Sequence, residues 1–155
     1  MTPRGVLTLL VDGRPVRVTG GPFDALPDGA RGLCLEAHSA RVAAAEWRLD
    51  VPDFGVPEAA ALHAVLSAML AAMRARPGDA YHIGCKAGLG RSGLAMACLA
   101  RLAGAVEGDP VAWLRARYLP EAIETEAQEA FVRGFARPAD AADQALILQP
   151  GPPVA

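Results

Sequence analysis

The segment Cys85-Lys86-Ala87-Gly88-Leu89-Gly90-Arg91-Ser92-Gly93 sets a thiol and a guanidinium at the two ends of a glycine-rich turn. Two glycines let successive backbone N–H groups converge into an anion cradle. A helix starting behind the turn adds the positive end of its dipole. Arg91, at that helix start, can bind two phosphate oxygens in a fork. Cys85 sits in the same positive field, which favours a thiolate over a thiol. A phosphate site that carries its own nucleophile is the apparatus of nucleophilic phosphoryl transfer. Ser92 can stabilise the thiolate when it later departs from phosphorus. The bare Cys-x5-Arg spacing is common by chance; the glycines, Ser92 and the flanking elements give it weight.

Those flanking elements must hold the turn. Tyr81 to Gly84 reads as a short strand, and a helix is predicted from about Arg91 to Leu102, ending at Gly104. Upstream, Val6–Val11 and Val16–Thr19 are β-rich runs joined by Asp12-Gly13-Arg14-Pro15, a hairpin signal, with Pro15 pointing to an edge strand. Gly20-Gly21-Pro22 is expected to end that unit. Gly32–Glu36 and Trp47–Val51 read as further strands. Leu62, Val65, Leu66, Met69, Leu70 and Met73 then form one helical stripe, opened near Pro57 and stopped by Pro77-Gly78. Asp109-Pro110 opens a helix with Val111, Leu114 and Tyr118 on one side. Thr125-Glu126-Ala127-Gln128 is a capping box for another, with Phe131, Val132 and Phe135 inward. The expectation is an α/β domain over residues 1–137, with a central mixed sheet flanked by helices and a hairpin at residues 1–21. A mobile Pro/Ala-rich tail is expected over residues 138–155.

With these flanks, the phosphate loop resembles that of the cysteine-dependent protein tyrosine phosphatase superfamily, and Lys-Ala-Gly-Leu-Gly-Arg looks most like its dual-specificity members. A Walker-type nucleotide loop is excluded, since no Gly-Lys-Ser or Gly-Lys-Thr follows the glycines. Asp50-Val51-Pro52-Asp53-Phe54-Gly55-Val56-Pro57 is similar to the loop that supplies the family's general acid, which implies Asp53 as the acid and Asp50 as a weaker candidate. Expelling an alkoxide or phenolate needs such a proton donor whatever the family. Glu124-Thr125-Glu126-Ala127-Gln128 looks like the glutamine-bearing segment that positions hydrolytic water. Gln128 matches its second glutamine, and Glu124 stands in place of the first. The family usually has histidine before the nucleophile, where it helps hold the loop; Gly84 occupies that position, and His82 is the nearest histidine.

The resemblance implies a metal-independent phosphomonoester hydrolase working through a phosphocysteine, with no cofactor. Its catalytic residues would be Cys85, Arg91, Asp53, Ser92 and Gln128. Lys86, Ala87, Gly88, Leu89, Gly90 and Arg91 would bind substrate, a phosphorylated protein or a small phosphomonoester. Phosphotyrosine, with phosphoserine and phosphothreonine, is the expected target. The alternatives are a phosphate-binding pseudophosphatase, favoured by Gly84 and Glu124, and a phosphatase of metabolites such as inositol phosphates. Cys34, Cys98, His63, Trp47 and Trp113 read as packing or structural residues, and His38 as loop.

Composition alone points to a soluble cytoplasmic globule. Hydrophobic residues make up 52% of the 155 and charged residues 21%, which excludes disorder over the whole length. A net charge of -2 without a basic stretch argues against a nucleic-acid partner. No apolar run is long enough to span a membrane. Three cysteines in no framework spacing point to a reducing, cytoplasmic setting. No His/Cys cluster has metal-ligand spacing.

Overall fold

A computed structural model describes residues 1–135; the expected tail at 138–155 lies outside them. The chain opens with β1 (Gly5–Val11) and β2 (Arg14–Pro22), an antiparallel hairpin. Leu7, Leu9 and Val11 alternate inward along β1, the two-residue period of a half-buried strand. Asp12 and Gly13 have φ of +50° and +80°, the pair of left-handed residues that a type I′ turn requires. After it come β3 (Arg31–Cys34), the two-residue β4 (Trp47–Arg48), α1 (Ala59–Ala75) and β5 (Ala80–Cys85). Three helices follow: α2 (Gly90–Leu102), α3 (Pro110–Arg117) and α4 (Glu126–Gly134).

The five strands form one mixed sheet in the order β1-β2-β5-β3-β4, with β2, β5, β3 and β4 parallel. Two expectations change here. The hairpin unit does not end at Gly20-Gly21-Pro22: β2 continues through all three residues, pairing parallel with β5 as far as Pro22 against Cys85. That pairing supplies the ladder bonds which the local sequence, poor in strand formers, does not suggest. Nor is the Pro15 strand an edge. β1 is the edge, and Pro15 is tolerated because β5 begins to pair with β2 only at Arg17.

The sheet packs one face against the helices. The inward residues of β1, β2, β3 and β5 meet the stripe Leu62, Leu66, Met69, Leu70 and Met73 of α1 and almost the whole of α2. Burying each large aliphatic side chain contributes about 1.5–3 kcal/mol. The other face carries a smaller cluster of Phe23, Leu26 and Cys34. Cys34 and Cys98 are buried free thiols, and Trp113 is buried at the core. Burial among apolar side chains pushes the Cys98 thiol well above its ordinary range. The residue stripes expected for the helices are observed, with α1 starting at Ala59, two residues after Pro57. No helix among the described residues is long and apolar enough to cross a membrane.

Candidate active site

The loop from Cys85 to Gly90 joins the carboxyl end of β5 to the first turn of α2, at the end of the sheet where open α/β folds bind ligands. The Cys85 Sγ accepts two hydrogen bonds at 3.1 Å, from the Gly88 N–H and from the Ser92 hydroxyl. Both donors favour negative charge on sulfur. Lys86 and Ala87 face solvent, whereas Gly88, Gly90, Arg91 and Ser92 are buried. Gly88 holds a φ of +85°, and a Cβ there would lie 2.2 Å from the Gly21 Cα, so the loop rests directly on β2. Gly90 is bare for a similar reason: Glu124 and Gln128 side chains cover it.

Arg91 is only 3% exposed and its guanidinium is held from several sides. It donates to the Val51 carbonyl at 2.8 Å, the Leu35 carbonyl at 3.4 Å and Glu36 Oε2 at 2.9 Å. Asp53 Oδ1 lies 3.3 Å away. Glu36 answers the need of a buried cation for a partner, and the sequence reading missed it. The signal was present: a carboxylate at the end of a strand that the topology sets beside the phosphate-loop strand. The Glu36 carboxyl is held below the usual carboxylate range, first by the His38 backbone N–H and then by Arg91, with burial opposing.

Asp53 is half exposed and accepts from the Phe54 N–H, in a loop where Phe54 takes a φ of +59°. Asp50, the weaker acid candidate, is clamped by the Arg48 guanidinium. Asp50, Asp53, Cys85, Lys86 and Arg91 line one cleft of about 610 Å³. His38 lines it too, from the turn after Glu36.

Gln128 and Thr125 make the capping box of α4. Gln128 is fully buried: its Oε1 accepts from the N–H groups of Glu124 and Thr125, and its Nε2 donates to the Gly55 carbonyl at 3.1 Å. It thus ties the Asp53 loop to α4 and does not line the cleft.

Gly84 has a steric cause. A Cβ on it would fall 2.5 Å from the Phe23 Cα and 2.7 Å from the Phe23 nitrogen, so backbone occupies the place of a side chain. His82 is on the same side of β5, with its Nδ1 against the Thr19 hydroxyl at 2.8 Å and its Nε2 against the Pro22 carbonyl at 3.1 Å. Burial lowers its pKa, and the neutral ring cross-links β2 to β5.

Solved structures share this arrangement of elements. Tk-PTP in its active form superposes with a TM-score of 0.61 at 22% identity, over 83% of this chain and 95% of that one. The kinase associated phosphatase KAP gives 0.64 at 17%, over 92% and 98%. The fold is that of the cysteine-dependent phosphatases. A third example, a putative protein tyrosine phosphatase from Leishmania major, gives 0.62 at 20%, over 86% and 99%. No protein-family model and no curated protein sequence matches the chain. In this fold, Cys85 and Arg91 stand at the two ends of the loop between β5 and α2, and Asp53 lines the same cleft.

Proposed function

We propose that the chain hydrolyses phosphomonoesters through a phosphocysteine, acting on phosphotyrosine and on phosphoserine or phosphothreonine of proteins. The observation that carries this reading is Cys85, which lines the cleft with two hydrogen-bond donors at 3.1 Å from its sulfur and with Arg91 lining the same cleft. Cys85 Sγ attacks phosphorus in line, while the loop amides from Lys86 to Arg91 and the Arg91 guanidinium hold the equatorial oxygens. Asp53 gives its proton to the departing ester oxygen. In the second step Asp53, now a base, takes a proton from water, water oxygen attacks phosphorus, and the S–P bond breaks. The Ser92 hydroxyl stabilises the returning thiolate. Gln128 acts from a distance, by holding the Asp53 loop through Gly55.

The preference for protein esters over inositol phosphates rests on charge. The cleft sets Lys86 and Arg91 against Asp24, Glu36, Asp50 and Asp53, a poor match for a polyanion. The test is p-nitrophenyl phosphate hydrolysis by reduced protein in EDTA, beside Cys85→Ser and Asp53→Asn. Turnover that vanishes in Cys85→Ser supports the cysteine mechanism. Asp53→Asn should lose about 100-fold on phenyl phosphate and less on the p-nitrophenyl ester, whose leaving group needs a proton least. Well-folded protein without turnover that still binds vanadate would overturn the hydrolase reading in favour of a phosphate-binding protein.

A further inference from the structure

Two carbonyls of the phosphate loop are gripped from outside the loop. The Tyr118 hydroxyl donates to the Gly88 carbonyl at 2.7 Å, and the Ile123 N–H donates to the Leu89 carbonyl at 3.1 Å. Tyr118 caps the carboxyl end of α3 and is almost fully buried. Its ring fills a niche on β2 that exists only because residue 20 is glycine. A Cβ on Gly20 would lie 2.3 Å from the Tyr118 oxygen. The same Gly88 that accepts from Tyr118 donates its own N–H to the Cys85 sulfur. Between these two bonds and the contact with Gly21, the orientation of the Gly88 residue is fixed on every side.

The position where a histidine before the nucleophile would help hold the loop is closed by the Phe23 backbone. His82 is engaged with Thr19 and Pro22. We infer that Tyr118, seated in the Gly20 niche, is the positioning residue that holds the phosphate loop, aiming the Gly88 N–H at the Cys85 sulfur. The inference deepens the phosphatase reading but its decisive readout does not require turnover. Burial, with the Cys85 charge adding to it, pushes the Tyr118 hydroxyl well above its ordinary value, so it keeps its proton and remains a donor. The other charged and titratable groups lining the cleft with Cys85 are Arg91 and Lys86 of the loop and Asp24, Glu36, His38, Asp50 and Asp53. Arg4 acts on Tyr118 from the N-terminal segment.

The experiment replaces Tyr118 by Phe, which deletes one oxygen and leaves the ring. At pH 6, iodoacetate alkylation of Cys85, counted against Cys85→Ser, should slow about fivefold, because a loosened Gly88 N–H stabilises the thiolate less. If the wild-type protein hydrolyses p-nitrophenyl phosphate, kcat should fall about tenfold with KM within about twofold, since aligned amides matter most in the transition state. A second protein carries 3-fluorotyrosine at position 118, a near-isosteric and stronger donor, and should alkylate faster than wild type. A Tyr118→Phe protein with lowered Tm but wild-type alkylation rate and kcat would overturn the inference, leaving Tyr118 a packing residue. Should Tyr118→Phe not fold, an unchanged alkylation rate in the fluorotyrosine protein would overturn it instead. A wild-type protein that alkylates normally but hydrolyses nothing defeats the phosphatase reading alone.

Discussion

Arg91 and Glu36 show how a single buried charge organises its surroundings. The guanidinium is 3% exposed and its carboxylate partner 15%, so the pair is largely screened from water and removing either charge leaves the other poorly compensated. The Glu36 carboxyl is held low by the His38 N–H and then by Arg91. A carboxyl whose folded value is depressed adds stability above its ordinary titration range, and that stability is lost as pH falls through the lowered value. Glu36→Gln keeps an acceptor but removes the charge, and should cost about 1–2 kcal/mol near neutral pH. For a chain of this size that is roughly 3–6 °C in Tm. The deficit should shrink as pH drops through the carboxylate range. Thermal melts of both proteins from pH 7 to pH 3 check this, and a deficit independent of pH would contradict it.

At the scale of elements, the junction of β2, β5 and the phosphate loop is built from missing side chains. Gly84 meets the Phe23 backbone, Gly88 meets Gly21, and Gly20 receives Tyr118. Backbone atoms cannot rotate away as a side chain can. Gly84→Ala should therefore cost about 2–3 kcal/mol, or roughly 5–10 °C in Tm. A melt within about 2 °C of wild type would mean that β5 and Phe23 separate more easily than their packing suggests. Much of this level was legible in the sequence. The Asp12-Gly13 turn, the α1 stripe and the Thr125–Gln128 capping box are local patterns, fixed by residues a few positions apart. Glu36 opposite Arg91, Tyr118 under Gly88 and Phe23 over Gly84 are 55, 30 and 61 positions apart (91 − 36, 118 − 88, 84 − 23). Only the packing of strands and helices in three dimensions brings such pairs together. The loop from Cys85 to Arg91 is legible because its residues are contiguous, and its supports are not because theirs come from distant parts of the chain.

For the whole molecule, the strand order places β5 between two parallel neighbours, so the loop after Cys85 emerges at the middle of the sheet and not at an edge. The cleft is then walled by the segments after β2, β3 and β4, which all end on that side. Arg91 binds the carbonyls of Leu35 and Val51 in two of those segments. A ligand that binds only the folded state stabilises it by about 2.7 kcal/mol at 100 times its Kd. Vanadate at that level should raise Tm by roughly 5–10 °C. Arg91→Ala should abolish the shift. A vanadate-independent melt in the wild-type protein would argue against an anion site at the loop.

The sequence reads as placing a hairpin at the start of the domain, ended by Gly20-Gly21-Pro22. In the fold, Gly21 is the floor beneath Gly88 and Gly20 the recess for Tyr118. The hairpin is therefore foundation, not decoration. A shortened protein that begins after Pro22 would retain Cys85, Arg91 and Asp53, yet lack the ground on which the loop stands. Sequence comparisons that score only the loop and its partners would judge such a fragment complete. Its chemistry should fail for want of a surface that never touches the substrate.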